Sequence, residues 1–453
     1  MRNYSALIVI ALFIFSCSPK MNPVGSRDEG MNRFPGKAAS LTIYEVNIRQ
    51  HTAEGTIQAF SKDLPRLKEL GVGMLWIMPV QPIGIKNRKE PLGSYYSIRD
   101  YRNVNEHFGT VADFKSLVQQ AHQLGIYVIL DWVPNHTAWD HPWITQHPEY
   151  YSRDNNGNIV YEADWTDIAL LDHLNPATRR AMIDEMKYWV TEIDVDGFRA
   201  DHAGHEIPLY FWEEATEELD RLKDLFWLAE WDGARMHLEF DATYAWELLH
   251  IDDRVGKGTN NANHIARWIQ KDLKEYGRKA FRMTMTTNHD ENSWSGTEFD
   301  RYGEGHKTFA AFIFSAYGLP MLYSGQEAGS NKRLRFFAKD TVDWRDPMQL
   351  QPFYKQLVSL RTNNPALWSG EYGGMPERIN PISDSTIYAF KRIKGSNKVI
   401  GIMNFSDKPQ QLHVTDNTTA GQYVDYFTNK QYTISVGSPM QLSAWQYLIF
   451  VQN

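Results

Sequence analysis

The sequence is poor in three features that would each indicate a class of protein. It has one cysteine in 453 residues, Cys17, so the chain cannot form an internal disulfide and must be held together by its core. Its formal net charge of −8 gives no reason to expect nucleic acid, whose binding proteins carry basic surfaces. The apolar run at the N-terminus, residues 6–15, is too short to span a bilayer. These absences favour a globular protein with a neutral or polar substrate.

The N-terminus has the pattern of a secretory signal, with Arg2 ahead of the apolar run 6–15. The four residues Ile-Phe-Ser-Cys that end at Cys17 resemble the lipobox of bacterial lipoproteins. The resemblance implies a signal peptide over residues 1–17, lipidation of Cys17 and an exported protein anchored in the bacterial cell envelope. The alternative is an ordinary cleaved signal in which the cysteine is incidental. Residues 18–38 contain several prolines and glycines and are predicted to form a flexible tether.

From Leu41 onward, short apolar segments alternate with longer amphipathic ones, which is the pattern of repeated βα units. A helix is predicted over 111–125, with Thr110 as its N-cap. The predicted strands run over 42–47, 73–79, 126–132, 195–199, 225–230, 240–244, 283–288 and 319–323. Eight strands predict a (β/α)8 TIM barrel over residues 39–370.

Two further regions depart from this alternation. Residues 136–175 are too many for a simple loop after the third strand and are predicted to form a short excursion over one face of the barrel. Residues 371–453 contain short alternating runs that predict a C-terminal antiparallel β-sandwich.

Polar residues follow several predicted strands at the point where each strand ends. Asp201 follows Gly-Phe-Arg-Ala, Glu230 follows Phe-Trp-Leu-Ala, and Asp290 follows Thr-Asn-His. The C-terminal ends of barrel strands are where this fold collects its catalytic groups. Two of these carboxylates would be enough to cleave a glycosidic bond.

These segments resemble those of the alpha-amylase family, the large retaining clan of glycoside hydrolases that act on α-glucosidic bonds. The other matching segments are Asp-Trp-Val-Pro-Asn-His at 131–136, Gly-Ser-Tyr-Tyr-Ser-Ile-Arg-Asp-Tyr at 93–101, and Gly-Leu-Pro-Met-Leu-Tyr-Ser-Gly-Gln-Glu at 318–327. Six such segments in one order, from about Leu41 to the C-terminus, make the resemblance specific.

The residues themselves suggest how the chemistry is divided. Cleavage with retention needs an ionised carboxylate as nucleophile, and Arg199, two residues before Asp201 on one strand face, would favour the charged form of Asp201. Glu230 lies between an apolar run and Trp231, a setting that should raise the pKa of this candidate acid and base. The alternatives are an ion pair at a strand end and a buried glutamate bonded to backbone amides. The retaining mechanism predicts about 5 to 5.5 Å between the two carboxyl groups.

The resemblance implies roles for four further side chains. Asp290 would stabilise the oxocarbenium-like transition state. His136 and His289 would hydrogen-bond the sugar before the scissile bond, and Tyr96 would stack on it, with Tyr95 as the competing assignment.

Metal binding is where the sequence departs from the family. Many members carry a Lys-His pair three and four residues after the nucleophile, and here these positions are Gly204 and His205. Asn135 matches a calcium-site asparagine, but His173 stands where an aspartate is usual. Calcium prefers several hard oxygen ligands, so no cofactor is expected to be required. The alternative is a calcium site that includes Asn135, with Asp172 contributing after a one-residue shift.

The sequence thus predicts a lipid-anchored, exported retaining hydrolase of α-glucans or maltooligosaccharides, with no nucleic-acid partner. One alternative is a transglycosylase of the same clan, which differs in whether sugar or water accepts the glycosyl group. The other is an inactive starch-binding surface protein. That alternative is disfavoured because Asp201, Glu230 and Asp290 are all present.

Overall fold

The computed structural model describes residues 34–452. Cys17, the predicted signal peptide and residues 18–33 of the predicted tether lie outside this range. No helix within the described range is long and apolar enough to cross a membrane.

Eight parallel strands form a closed barrel, as predicted, in the order β1-β10-β9-β8-β7-β6-β3-β2. Each strand is buried on both faces, which explains why its sequence is nearly continuous in apolar residues. In chain order the strands of the first 323 residues are β1 Ile43–Val46, β2 Met74–Ile77, β3 Tyr127–Trp132, β4 His136–Ala138, β5 Ile168–Leu170, β6 Gly197–Ala200, β7 Phe226–Ala229, β8 Ala242–Tyr244, β9 Phe281–Thr284 and β10 Leu319–Tyr323. All but β4 and β5 belong to the barrel.

Helices surround the barrel and return the chain to the start of the next strand. Thr110 caps one of them in a reciprocal capping box with Asp113, so this helix begins where the sequence predicts. The helices are α1 Phe34–Ala38, α2 Ile48–His51, α3 Ile57–Ser61, α4 Leu64–Leu70, α5 Val111–Gln123, α6 Trp143–Gln146, α7 Pro176–Tyr188, α8 Leu209–Leu219, α9 Trp246–Gly256, α10 Ala262–Tyr276, α11 Glu298–Tyr302, α12 His306–Ser315 and α13 Leu350–Asn363.

The long connection after β3 carries its own antiparallel pair, β4 with β5, and ends where Asn175 caps α7. We call residues 136–175 the excursion. The strand predicted over 283–288 differs from the observed β9, which ends at Thr284. The polar residues up to Asp290 therefore lie in a loop beyond the strand, followed by the π-helical turn Glu291–Ser295.

The C-terminal region consists of antiparallel sheets around a core of their own, as predicted for a sandwich. It contacts the barrel through α12, where Phe309 packs on Phe405 and Phe312 packs edge-on against Tyr388. Its strands are β11 Glu377–Arg378, β12 Ile387–Lys394, β13 Asn397–Asn404, β14 Gln410–Leu412, β15 Gly421–Val424, β16 Gln431–Ile434, β17 Met440–Leu442 and β18 Tyr447–Gln452.

The N-terminal boundary needs a correction, because the tether predicted up to residue 38 overlaps the folded region. Residues Phe34–Ala38 form α1, and the Phe34 side chain is 2% exposed. Its ring packs against Tyr127 and Phe226, the first residues of β3 and β7. The chain therefore joins the barrel at the N-terminal ends of the strands, opposite the face where their C-terminal ends collect polar groups.

We expect Phe34→Ala to lower the free energy of unfolding by about 3 kcal/mol, because it removes a buried ring that closes this end of the barrel. Any activity of polar groups at the C-terminal ends of the strands should not change, since the ring lies at their N-terminal ends. Chemical denaturation and steady-state kinetics on the purified variant measure both effects.

The neighbouring Lys37→Ala variant is the control for this experiment. Lys37 makes an exposed ion pair with Asp224, which should contribute less than about 1 kcal/mol. Equal destabilisation by the two variants would contradict the packing role of Phe34.

Candidate active site

A cleft of about 730 Å³ opens at the C-terminal ends of the barrel strands. Six of the residues predicted from the sequence line it, namely Tyr96, His136, Asp201, Glu230, His289 and Asp290. Aromatic side chains that the sequence analysis did not single out complete its walls, namely Trp165 from the excursion and Trp294, Phe336 and Phe337 from the loops after β9 and β10. The cleft thus combines carboxylates with flat apolar surfaces, the composition expected of a sugar-binding site.

Arg199 lies beneath the cleft rather than in its lining, and its guanidinium contacts three carboxylates. The Nη1 atom lies 2.8 Å from Oδ1 of Asp131 and 2.9 Å from Oδ1 of Asp201, and the Nη2 atom lies 2.9 Å from Oε1 of Glu230. Its side chain is fully buried. One cation therefore holds both candidate catalytic carboxylates in place.

Glu230 has the environment expected of a proton donor. Burial raises the pKa of Glu230 above its ordinary value, Arg199 opposes this rise, and Asp201 adds to it. The backbone N–H of His202 donates to Oε2 of Glu230 at 2.9 Å and fixes the orientation of the carboxyl group. The apolar surroundings predicted for Glu230 are therefore present, and so is the backbone amide bond that was named as the alternative.

His289 belongs to a second buried network that the sequence analysis did not predict in full. Its Nδ1 lies 2.5 Å from Oε1 of Glu45, and its Nε2 lies 2.9 Å from the hydroxyl of Tyr96. Burial disfavours the charged imidazole, but Asp290 and Glu45 outweigh this effect and raise the pKa of His289 to about 9. The protonated ring can then donate to both neighbours. The Tyr96 hydroxyl in turn donates to Oδ2 of Asp131 at 3.0 Å.

His136 is also held by its backbone surroundings. Its Nε2 donates to the carbonyl oxygen of Tyr96 at 3.1 Å, and burial lowers the pKa of His136 to about 4, so the ring is neutral. Tyr95, the competing candidate for stacking, lies elsewhere: its hydroxyl accepts from Asn47, and its ring lies under Arg49. Tyr96 is therefore the tyrosine that reaches the cleft.

Two residues of these networks were missed by sequence reasoning. Glu45 lies within the otherwise apolar β1 and is fully buried, so an acidic residue inside a buried strand was the available signal. Asp131 lies within β3, and burial raises the pKa of Asp131 to about 7 against the opposing attraction of Arg199. Glu45 contacts His289 and Asp131 contacts Arg199, and both of these partners were predicted from the sequence.

The residues at the position of the family's calcium site do not fit that ion. The buried His173 donates from Nε2 to the carbonyl oxygen of Pro134 at 2.8 Å, and burial lowers the pKa of His173 to about 4. A neutral imidazole bonded in this way is not a hard oxygen ligand. Asn135 contacts His136, and Asp172 accepts from the backbone of Leu174.

The Gly-His pair at 204 and 205, where many members of the family carry Lys-His, also has a physical reason. A Cβ atom on Gly204 would lie 2.4 Å from the ring of Trp231, so no lysine fits there without moving that ring. The side chain of His205 points to the excursion, where its Nε2 lies 2.8 Å from Oε1 of Glu162.

Comparisons with known proteins agree with this geometry. The sequence profile of the alpha amylase catalytic domain matches residues 31–161 and 154–385. The chain is 26% identical to Alpha-amylase 2 of Dictyoglomus thermophilum, over 87% of this chain and 70% of that protein. It is 27% identical to a cyclomaltodextrin glucanotransferase of Geobacillus stearothermophilus, over 84% of this chain and 60% of that protein.

Among solved structures, a maltogenic alpha-amylase, AmyB, from Thermotoga neapolitana superposes with a TM-score of 0.84 at 28% identity, covering 91% of this chain and 99% of that one. A parallel barrel with paired carboxylates in the cleft at its C-terminal face defines a class of glycoside hydrolases. Within that class, the chain belongs to the alpha-amylase family.

We expect Arg199→Lys to reduce kcat/KM by at least about 100-fold, because an ammonium cannot contact three carboxylates in the geometry of a guanidinium. It should also lower the free energy of unfolding by about 3 kcal/mol, since Asp131 would lose its buried partner. Steady-state kinetics and chemical denaturation measure these effects.

Arg180→Lys is the matched control. Arg180, on the exposed surface of α7, contacts Asp184 of the same helix and Glu218 of α8, so this change should shift stability by less than about 0.5 kcal/mol. If Arg199→Lys were equally mild, the guanidinium would not organise the site.

Proposed function

We propose that this enzyme hydrolyses α-glucosidic bonds of starch-like glucans or maltooligosaccharides with retention of configuration. The observation that carries the proposal is the shared contact of Asp201 and Glu230 with Arg199 at the floor of the cleft. The two carboxyl groups follow the neighbouring strands β6 and β7, and burial raises the pKa of one of them, Glu230, above its ordinary value.

In the first step, Asp201 attacks the anomeric carbon while Glu230 gives its proton to the leaving glycosidic oxygen. The bond from carbon to that oxygen breaks, and an ester bond to Asp201 forms. The contact of Arg199 Nη1 with Oδ1 of Asp201 at 2.9 Å orients the nucleophile for the attack. The leaving chain departs with the proton, and Glu230 becomes an ionised carboxylate.

In the second step, Glu230 removes a proton from water, and the resulting hydroxide displaces Asp201 from the anomeric carbon. Both carboxylates return to their starting states. Asp290, beside His289 at the cleft, is placed to stabilise the positive charge that develops on the sugar ring. His136 and Tyr96 line the part of the cleft that would hold this sugar.

Some relatives of this chain bear names of glucan-transferring enzymes, such as the cyclomaltodextrin glucanotransferase. Transfer to a sugar and transfer to water use the same first step, and differ only in the acceptor of the second. Product analysis on maltooligosaccharides, with and without an added acceptor sugar, separates the two activities. Hydrolysis is supported if the acceptor leaves the product pattern unchanged.

We expect Asp201→Ala to reduce turnover by at least about 1000-fold, because the glycosyl intermediate can no longer form. Glu230→Gln should slow cleavage of natural glucans strongly but spare the first step for substrates with a good leaving group, which need no proton. Stopped-flow and steady-state kinetics on aryl glycosides and maltooligosaccharides compare these variants.

Asp184→Ala, an exposed carboxylate change on α7, is the control and should keep wild-type activity. The first released sugar should be the α-anomer by NMR, and a β-anomer would contradict retention. In wild type, activity should fall as pH rises through the pKa of Glu230, because the acid form is lost. The raised pKa of Glu230 extends the active range to higher pH than an ordinary glutamate allows.

We further propose that catalysis requires no calcium, because His173 and its bond to Pro134 occupy the position of an oxygen ligand. Activity should survive treatment with EDTA, and added calcium should leave the melting temperature within about 1 °C. Thermal shift and activity assays check both. A large calcium-induced rise would contradict the proposal, and Asn135→Ala would then show whether the family's usual site is responsible.

We also propose that the protein is exported and held at the cell envelope by lipid on Cys17. The support is the sequence pattern before Cys17 together with the position of α1, the first described helix, at the barrel end opposite the cleft. Wild type should fractionate with membranes, and Cys17→Ser should lose both the lipid label and the membrane association. Ser18→Ala should keep both. A lipid label retained by Cys17→Ser would contradict the proposal.

A further inference from the structure

Three side chains converge beside the catalytic cleft, where the excursion meets the loop after β6, and one of them, His202, also lines the cleft. Glu162 comes from the excursion, and His202 and His205 come from the loop. The Nε2 of His205 lies 2.8 Å from Oε1 of Glu162, and the Nε2 of His202 lies 3.9 Å from the same oxygen. One ligand atom from each of the three lies within 4.8 Å of the others. Two elements far apart in the sequence thus share one cluster of potential metal ligands.

The cluster leaves polar atoms without partners. Within residues 34–452, neither Nε2 of His202 nor Oε2 of Glu162 has a hydrogen-bond partner, although both atoms are buried. Buried polar atoms are normally paired, because an unpaired one costs free energy on removal from water. The ion pair between His205 and Glu162 therefore leaves these two polar atoms of the cluster without a hydrogen bond.

Aromatic rings form the surroundings of the two histidines. Trp165 packs edge-on against His202 at 5.5 Å between ring centroids, and Trp231 lies 6.1 Å from His202 and 6.5 Å from His205. The missing side chain of Gly204 leaves room for Trp231. These rings restrict the imidazoles, so the ligand atoms are already gathered before any ligand binds.

We propose that Glu162, His202 and His205 bind a divalent transition-metal ion of the zinc class, which links the excursion to the loop after the nucleophile strand. Zinc bonds to imidazole nitrogen and carboxylate oxygen are about 2.0 to 2.2 Å long, so tetrahedral ligand atoms lie about 3.3 Å apart. The two distances to Oε1 of Glu162 fall on either side of that value. Water would take the fourth position. Two imidazoles and one carboxylate suit zinc, cobalt or nickel and not calcium.

The proposed ligand atoms take no part in the bond-breaking steps, although His202 lines the cleft and its backbone N–H donates to Glu230. Neither His173 nor Asn135, which stand at the family's calcium position, is among the proposed ligands. Failure of this proposal would therefore leave the hydrolytic mechanism untouched.

The test is titration of zinc chloride into the EDTA-treated full-length protein, followed by calorimetry and thermal shift. At a hundredfold excess over the dissociation constant, zinc should raise the melting temperature by about 3 °C, and calcium should not. Cobalt chloride should produce the visible absorption of a four-coordinate ion. Absence of zinc binding, or an equal response to calcium, would overturn the proposal.

Variants locate the binding site. His205→Ala and Glu162→Gln should each weaken zinc binding by at least about 100-fold and remove the cobalt spectrum. His147→Ala is the control, because His147 is an exposed histidine of the excursion that pairs with Glu149 outside the cluster, and this variant should bind as wild type does. Circular dichroism of the metal-free variants verifies that they are folded. Wild-type zinc affinity in His205→Ala would overturn the assignment.

Discussion

The buried guanidinium of Arg199 is the constraint on which the rest of the active face depends. A cation removed from water is costly unless carboxylates surround it, and here Asp131, Asp201 and Glu230 do so. The strand register places Asp131 directly beside Arg199, and the backbone N–H of Glu230 donates to the carbonyl oxygen of Ala200. Stability of the barrel and orientation of the catalytic groups are therefore consequences of one interaction.

A second consequence concerns the charge of the cleft. Arg199 and the protonated His289 lie among five carboxyl groups, of which Glu230 is the proposed proton donor and Asp131 has a pKa raised to about 7. Ionised carboxylates beside the sugar stabilise the positive charge that develops on its ring during glycosidic cleavage. The buried networks thus do more than hold side chains in place, because they set the potential in which the reaction occurs.

Much of this arrangement could be predicted from the order of residues. Apolar runs at regular spacing predicted the barrel strands, and polar residues at the ends of those runs predicted Asp201 and Glu230. The resemblance to the alpha-amylase family predicted the roles of the two histidines. Glu45 could not be assigned in this way, because its partner His289 lies 244 positions away and meets it only when β1 closes on β10. The extent of the tether was also mispredicted, since the burial of Phe34 depends on rings from β3 and β7.

By itself, the sequence determined the fold class and the chemical types of the groups at the cleft, because both follow from local periodicity and from which side chains end each strand. Tertiary structure alone decided which of these groups share a proton or a cation. Arg199 contacts three carboxylates because the barrel closes, and His205 contacts Glu162 because the excursion returns to the barrel. The separation of these residues along the chain does not indicate that they are in contact. Electrostatic interactions depend on distance and burial, and both are set only when the core is packed.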